Sequence, residues 1–415
     1  MIKAGALNQR SDRVILSPGN MYQQTELRQA EPGFCQSHIE EFADLAGGPP
    51  DIQADAMLAG LTRIGDQRFL CSVLVPCHYY MYIHYLYMHG NSKMTKNSIL
   101  ASIGSTSLLE LRRIVPEGCA RVLIKLESEN PTASMKDRMA LAMIEAGERS
   151  GRLQPGGRVV EYTGGSTGVS LSLICAAKGY PLSIVTSDAF SAEKRHHMSA
   201  LGAELTLIAS EGGGMNAVLT RRMIEAARQI TERTGAFWTD QLNNRDQLTA
   251  YYAMADEILS QTESGIDAFV QATGTAASLR GIAEGFRRNG RGIRIIAVEP
   301  EESAVLSGGR SGVHRIEGVG AGFIVPLWQP DLVDEIIPVS TGDAIDMTRR
   351  LAQSEALFAG TSTGANLVAA IDIGKRLGPK ATVVTIMCDS GIKYLSTALY
   401  NQTGSEHRFS SRAET

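Results

Sequence analysis

No two cysteines of this chain stand in a C-x-x-C pair. The six that occur (Cys35, Cys71, Cys77, Cys119, Cys175 and Cys388) are scattered, which argues for reduced thiols and against a disulfide framework or a zinc site. Strong charge is missing too. Forty basic and 44 acidic residues leave a net charge of −4, and nothing recommends nucleic acid or an anionic membrane as a partner. Neither G-x-x-x-x-G-K-[ST] nor G-x-G-x-x-G is present, so neither of these nucleotide-phosphate loops can carry an argument. There is no tandem repeat and no long low-complexity tract.

What remains is a globular composition. The 415 residues are 43% hydrophobic and 20% charged, enough for a real core and for two or three domains. The 42 glycines, many at strand ends, suit a loop-rich α/β enzyme.

Residues 1–93 read differently from the rest. The first sixty or so are polar and aperiodic, with a turn-like Gly47–Gly48–Pro49–Pro50. The apolar, tyrosine-rich run from Phe69 to Met88 approaches the length of a membrane span. Pro76, His78 and His84 interrupt it, which argues against a span, and it lies too far in for a signal peptide. The expectation is a poorly ordered extension of unknown role. A partner-binding or membrane-surface segment comes second, and a biological start at Met94 third.

From Ser98 onward the pattern is regular. Strands are expected at 121–127, 158–162, 182–186, 204–208, 266–271, 293–298 and 382–387. Helices are expected at 134–149, with Ser134 as its cap, and at 167–178, 191–201, 215–233, 245–260, 276–288, 343–357 and 364–376. A glycine-rich loop runs from Ser307 to Gly322. Strands alternating with helices imply mainly parallel sheets covered on both faces. The expected architecture is two α/β lobes with a ligand in the cleft between them.

Four stretches carry candidate chemistry. The turn Thr163–Gly164–Gly165–Ser166–Thr167–Gly168 joins a β-branched run to an apolar helix. Its glycines permit a sharp turn and close approach, and the helix start would present free N–H groups and a positive dipole end to an anion, whether a phosphate or a carboxylate. A plain capped βα connection has the same composition. Gln271–Ala272–Thr273–Gly274–Thr275–Ala276–Ala277–Ser278 and Gly360–Thr361–Ser362–Thr363–Gly364 are two more such turns. Lys136 falls in the opening turn of a helix, where the dipole lowers its pKa and favours the neutral, nucleophilic amine used in Schiff-base chemistry. Three cradles and this lysine favour a phosphorylated cofactor, but their number does not decide between a nucleotide and pyridoxal phosphate.

Asn130–Pro131–Thr132–Ala133–Ser134–Met135–Lys136–Asp137–Arg138 resembles the N-P-x-x-S-x-K-D-R motif of the cysteine synthase (O-acetylserine sulfhydrylase) and cystathionine β-synthase family, which are fold type II pyridoxal-phosphate enzymes. Ile103–Gly104–Ser105–Thr106–Ser107–Leu108 is similar to that family's I-G-N-T-P-L. Further matches are Ser307–Gly308–Gly309, residues 314–323 and the closing Tyr394–Leu395–Ser396–Thr397. The resemblance runs from about residue 103 to about residue 397 and leaves 1–93 unmatched.

The resemblance implies pyridoxal 5′-phosphate as cofactor and no metal. Lys136 matches the lysine that forms the Schiff base and later moves the Cα proton. Gly274, Thr275, Ala276, Ala277 and Ser278 match the cofactor-phosphate loop. Ser362 matches the serine at the pyridine nitrogen, a neutral partner that leaves the ring a moderate electron sink. Thr163, Gly164, Ser166 and Thr167 match the loop that binds the substrate carboxylate, and Gln241 matches a glutamine on the same carboxylate. The family domain would cover 94–400, with a smaller lobe near 135–245, a larger lobe from 94–134 plus 246–400, and a tail at 401–415. A cytoplasmic homodimer is implied, acting on a small amino-acid substrate and a sulfide or thiol nucleophile.

Three departures stand out. Ser166 replaces an asparagine that hydrogen-bonds the cofactor's 3′-oxygen in the family. Gly164 replaces a serine of the carboxylate loop, and Ala276 and Ala277 replace glycines, which alanine does not match in access to positive φ. The first two put docking of a serine acetyltransferase tail in doubt. The expected activity is β-replacement on O-acetylserine or a related activated serine. β-Elimination, cystathionine β-synthase activity and a non-catalytic interaction role on the same scaffold are the alternatives.

Overall fold

A computed structural model of the chain describes residues 96–210, 217–262 and 264–401. The expectations for 1–93 and for the tail after residue 401 lie outside these residues. The described strands are β1 (Leu108–Leu111), β2 (Arg121–Leu126), β3 (Val159–Tyr162), β4 (Leu182–Ser187) and β5 (Glu204–Ile208). They continue with β6 (Phe237–Trp238), β7 (Ala268–Ala272), β8 (Arg294–Pro300), β9 (Glu335–Val339) and β10 (Thr382–Met387). The α-helices are α1 (Lys136–Arg149), α2 (Ser166–Lys178), α3 (Ala192–Ala200) and α4 (Ala217–Thr234). They are followed by α5 (Leu248–Ser260), α6 (Ala277–Arg288), α7 (Thr341–Glu355) and α8 (Thr361–Leu377).

The strands form two sheets, one of order β1-β2-β10-β7-β8-β9 and one of order β5-β4-β3-β6. Every pairing is parallel except that of β1 with β2. The α/β architecture with mainly parallel sheets is therefore as expected, and the antiparallel edge strand β1 is an addition to it. Strands β1, β6 and β9 went unread in the sequence. They are short edge strands, and Pro338 within β9 is tolerated because an edge needs fewer ladder donors.

The central strands β3, β4, β7 and β10 are buried on both faces, as parallel crossover connections require. In the large sheet Val122, Ile124, Val270, Ile296 and Val383 pack against α7 and α8, while Leu123, Phe269, Val384 and Ile386 pack against α1, α5 and α6. In the small sheet Val159 and Ile184 meet α1, α2 and α3, and Val160 and Val185 meet α4. Helix α1 belongs to both cores. Met139 and Met143 enter the large-sheet core and Ala140 and Ile144 the small-sheet core, each pair at the i, i+4 spacing of one helix stripe.

Buried charge fixes the start of α1. Arg138, 5% exposed, donates to the Glu127 carboxylate, 0% exposed, at 2.7 Å. It also reaches Glu257 on α5 at 2.7 Å, and Lys125 on β2 reaches the same carboxylate at 2.7 Å. Burial would raise the Glu257 pKa, but hydrogen bonds from Arg138 and Lys125 hold it down at about 2. Asn130 adds a 2.8 Å bond to Glu127, and Asp137 accepts the Thr132 amide at 2.7 Å. The N-cap falls one residue after the expected one. Met135 is the N-cap and makes no side-chain cap bond, whereas Ser134 pairs with Asp389 in a β-bridge and its hydroxyl accepts the Lys136 amide at 3.2 Å.

Arg138→Met leaves Glu127 charged and buried with its cation gone. The expected loss is about 3–5 kcal/mol of apoprotein stability, read from the denaturant midpoint. An unchanged midpoint would refute this account of the network.

Candidate active site

The β2–α1 connection carries Lys136 to the first position of its helix. The Met135 amide donates to the Cys388 carbonyl at 2.9 Å, so the lysine lies beside the end of β10. Its side chain is half-buried. Desolvation lowers its pKa, and the nearby Cys388 and Asp389 partly oppose that. The sequence argument named the helix dipole as the cause of a low pKa, whereas burial is the larger cause here.

Asp389, directly after β10, joins Lys136 to the 163–168 turn. Its Oδ2 accepts from Ser166 Oγ at 3.0 Å and from the Tyr394 hydroxyl at 2.8 Å. Its Oδ1 is buried without a hydrogen-bond partner. Sequence reading assigned Asp389 no role. The available signal was its place at the carboxyl end of a parallel strand, where α/β sheets put ligands.

The turn itself leaves β3 at Thr163, whose hydroxyl accepts the Gly165 amide at 3.1 Å. The amides of Ser166, Thr167 and Gly168 make no hydrogen bond among the described residues and face an anion-sized need at the start of α2. Gly165 sits at φ 156°, and a Cβ there would strike the Lys194 side chain. A Cβ on Gly164 would strike the Phe190 ring. Phe190 thus occupies the space that a residue-164 side chain needs. Gln241 lies behind the turn rather than in front of it: Thr167 Oγ1 donates to its Oε1 at 2.8 Å, and its Nε2 donates to the Tyr162 carbonyl at 2.8 Å. Glu161, fully buried, accepts the Gln241 amide at 3.0 Å and the Thr239 hydroxyl at 2.6 Å. Burial pushes its carboxyl up to about 7 against these bonds.

The second cradle leaves β7 at Thr273 and enters α6. Ala276 adopts φ 65°, the left-handed region that alanine enters only under constraint. The amides of Thr275, Ala276 and Ser278 make no hydrogen bond among the described residues, and the buried Thr273 hydroxyl has no partner. Ser278 Oγ accepts from Gln271 at 2.6 Å, which leaves its own proton free to donate. The Gly320 amide donates to the Thr273 carbonyl at 3.0 Å, bringing the 314–323 loop against this turn. Ser362, buried in the first turn of α8, is hydrogen-bonded with the Cys388 thiol, which burial pushes up to about 11.

The structure therefore groups Lys136, Ser166 and Ser362 around Cys388–Asp389, and sets the 274–278 turn at the neighbouring strand end. Two buried lysines were also missed in the sequence. Lys194, 3% exposed, reaches Glu317 at 2.6 Å and lies 4.1 Å from the centre of the Tyr394 ring. The side-chain nitrogen of Lys393, a residue 5% exposed, has no hydrogen-bond partner, and burial lowers its pKa to about 8. No group of three or more metal-ligating side chains occurs among the described residues. The arrangement fits pyridoxal phosphate: a helix start with unpaired amides beside an orphaned hydroxyl suits a phosphate, and an amine with a lowered pKa suits an aldehyde.

The chain belongs to the pyridoxal-phosphate dependent enzyme family, which matches residues 99–389. Within that class it is similar to a cysteine synthase of Staphylococcus aureus, 40% identical over 307 residues that make up 74% of this chain and 97% of the relative. A solved cysteine synthase from Entamoeba histolytica is 36% identical with a TM-score of 0.70, covering 76% of this chain and 94% of that one. A solved hydrogen sulfide-producing enzyme from Fusobacterium nucleatum is 34% identical with a TM-score of 0.68, covering 73% and 99%. The protein is an enzyme of this class.

Gly164→Ser forces an overlap with Phe190, and a cost of about 1–3 kcal/mol is expected from the thermal or denaturant midpoint. Adding Phe190→Ala should recover part of it, so that the double variant is less destabilised than the two single losses summed. Simple additivity would show that the ring does not determine residue 164.

Proposed function

We propose that this enzyme catalyses β-replacement on an O-activated serine, in the manner of a cysteine synthase, converting O-acetylserine and sulfide to cysteine and acetate. The observation that carries the reading is the amine of Lys136 beside Cys388 and Asp389, the pair that also bonds the Ser362 hydroxyl and the Ser166 hydroxyl at the start of α2. The likeness to cysteine synthases supports it.

Pyridoxal phosphate, when bound, supplies an electron sink for the charge that develops at the substrate Cα. The chain's own residues do the rest. The amides of Thr275, Ala276 and Ser278, with the Ser278 hydroxyl, hold the phosphate at the start of α6. Ser362 meets the pyridine nitrogen with a neutral hydroxyl. The amides of Ser166, Thr167 and Gly168 hold the substrate carboxylate, with Thr163 and Thr167 beside them, and Gln241 fixes the Thr167 rotamer from behind. That grip turns the Cα proton towards Lys136, whose neutral amine takes it and later returns it. Acetate leaves from Cβ and the sulfide sulfur bonds there in its place. Homodimeric assembly and a cytoplasmic setting are proposed with this reading, on the family resemblance.

The test is a product assay with O-acetylserine, with and without sulfide. Cysteine formed only with sulfide supports the proposal. Pyruvate and ammonia released without a nucleophile would replace it with elimination, the reading favoured by the likeness to a hydrogen sulfide-producing enzyme. Lys136→Ala should lower turnover by about 10²–10⁴-fold or more. Pyridoxal phosphate taken up by the apoprotein, trapped with borohydride and mapped by mass, should lie on Lys136. Because burial lowers the lysine's pKa, the neutral amine persists to lower pH, and uptake should stay fast below the pH at which free lysine becomes unreactive. A protein that takes up no cofactor would end every enzymatic reading.

A further inference from the structure

The Ser166 hydroxyl has one proton to give and two lone pairs with which to accept. An ionised carboxylate only accepts, so the 3.0 Å contact between Ser166 Oγ and Asp389 Oδ2 places the serine proton on the side of Asp389. The second partner of Oδ2 is the Tyr394 hydroxyl at 2.8 Å. Burial drives the tyrosine pKa far up, so it stays a donor and cannot relieve the serine of that duty. The geometry holding Asp389 is firm. Its carbonyl accepts the Gly360 amide at 3.3 Å, and it bridges to Ser134, two residues before Lys136. Its Oδ1 stands where a side chain on residue 360 would be, and Gly360 leaves it that room.

Two lysines lie within electrostatic reach of the Asp389 carboxylate. Lys136 and Lys393 are the cations that feel it, and Asp389 raises the pKa of both against burial. Lys194 and Asp137 also act on Lys393, and the Lys194 ammonium is paired with Glu317. Cys388 is a thiol rather than a thiolate, so it adds no negative charge.

We propose that Asp389 is a positioning residue that takes up the hydroxyl proton of Ser166, so that the Ser166 Oγ accepts from the cleft and the cofactor's 3′-oxygen would be held there as a hydroxyl, not as an oxyanion. The inference rests on the proposed function and on the family resemblance, which sets residue 166 at that oxygen. An asparagine side chain carries two N–H donors and would favour the oxyanion. The serine exchange thus reverses the direction of one hydrogen bond instead of only shortening a side chain. A ring with a protonated oxygen carries less charge, and the Lys136 amine beside it loses an anion that would otherwise raise its pKa.

The experiment uses the full chain loaded with pyridoxal phosphate and follows absorbance across pH. The hydroxyl form absorbs in the near ultraviolet and the oxyanion form in the visible. The near-ultraviolet band should dominate near neutral pH. Asp389→Asn offers an amide that donates to Ser166 and frees the serine proton for the cofactor, so the midpoint of the band change should fall by about one pH unit or more. Ser166→Asn, which leaves Asp389 untouched, should move it the same way and serves if the first variant fails to fold. A visible band already dominant in the unmodified protein at neutral pH, or a midpoint unmoved in both variants, overturns the inference while cofactor uptake on Lys136 leaves the proposed function standing. No uptake at all overturns both.

Discussion

Arg138 lies between two carboxylates in the interior, and the position of everything near Lys136 follows from that arrangement. A buried ion pair contributes little net stability beside an apolar replacement of equal volume. What it does supply is direction. The guanidinium fork fits the Glu127 and Glu257 carboxylates in few orientations, and a helix that starts two residues earlier is fixed in both rotation and height. Lys125 completes the neutralisation from β2, so strand, helix α1 and helix α5 share one charge cluster. An apolar helix start would pack as well and leave the lysine free to turn.

The groups assembled at the site come from three strand ends and from the starts of α1 and α8. Thr163 follows β3, Thr273 follows β7 and Cys388–Asp389 follows β10, all at carboxyl ends of parallel strands. Each of the first two enters a helix whose first amides lack partners, so the backbone itself forms two anion cradles. The side chains around them add direction: Gln271 turns Ser278, Gln241 turns Thr167, and Asp389 turns Ser166. In each case a polar residue with a single orientation holds a hydroxyl that otherwise rotates freely.

Much of this was legible in the sequence because β-branched runs ending in small hydroxyl residues announce strand–turn–helix junctions. The α/β class, the parallel sheets, most helix and strand positions and the place of Lys136 at a helix start were readable in that way. Short edge strands were not: Phe237–Trp238 and Glu335–Val339 have too few residues to show a period. Asp389, Lys194 and Lys393 were also silent, because a charged residue in a chain looks the same whether solvated or buried. Asp389 meets Ser166 across 223 residues of sequence and Lys194 meets Glu317 across 123. Gly164 was read as a departure in chemistry. The structure adds a steric constraint, the Phe190 ring in the space that a side chain at 164 would need.

Helix α1 is shared between two hydrophobic cores, Met139 and Met143 in one and Ala140 and Ile144 in the other. Neither sheet can then repack without disturbing the helix that carries Lys136. A cavity opened under either pair is transmitted to the amine, so the reactive nitrogen is guarded by the packing of both sheets at once.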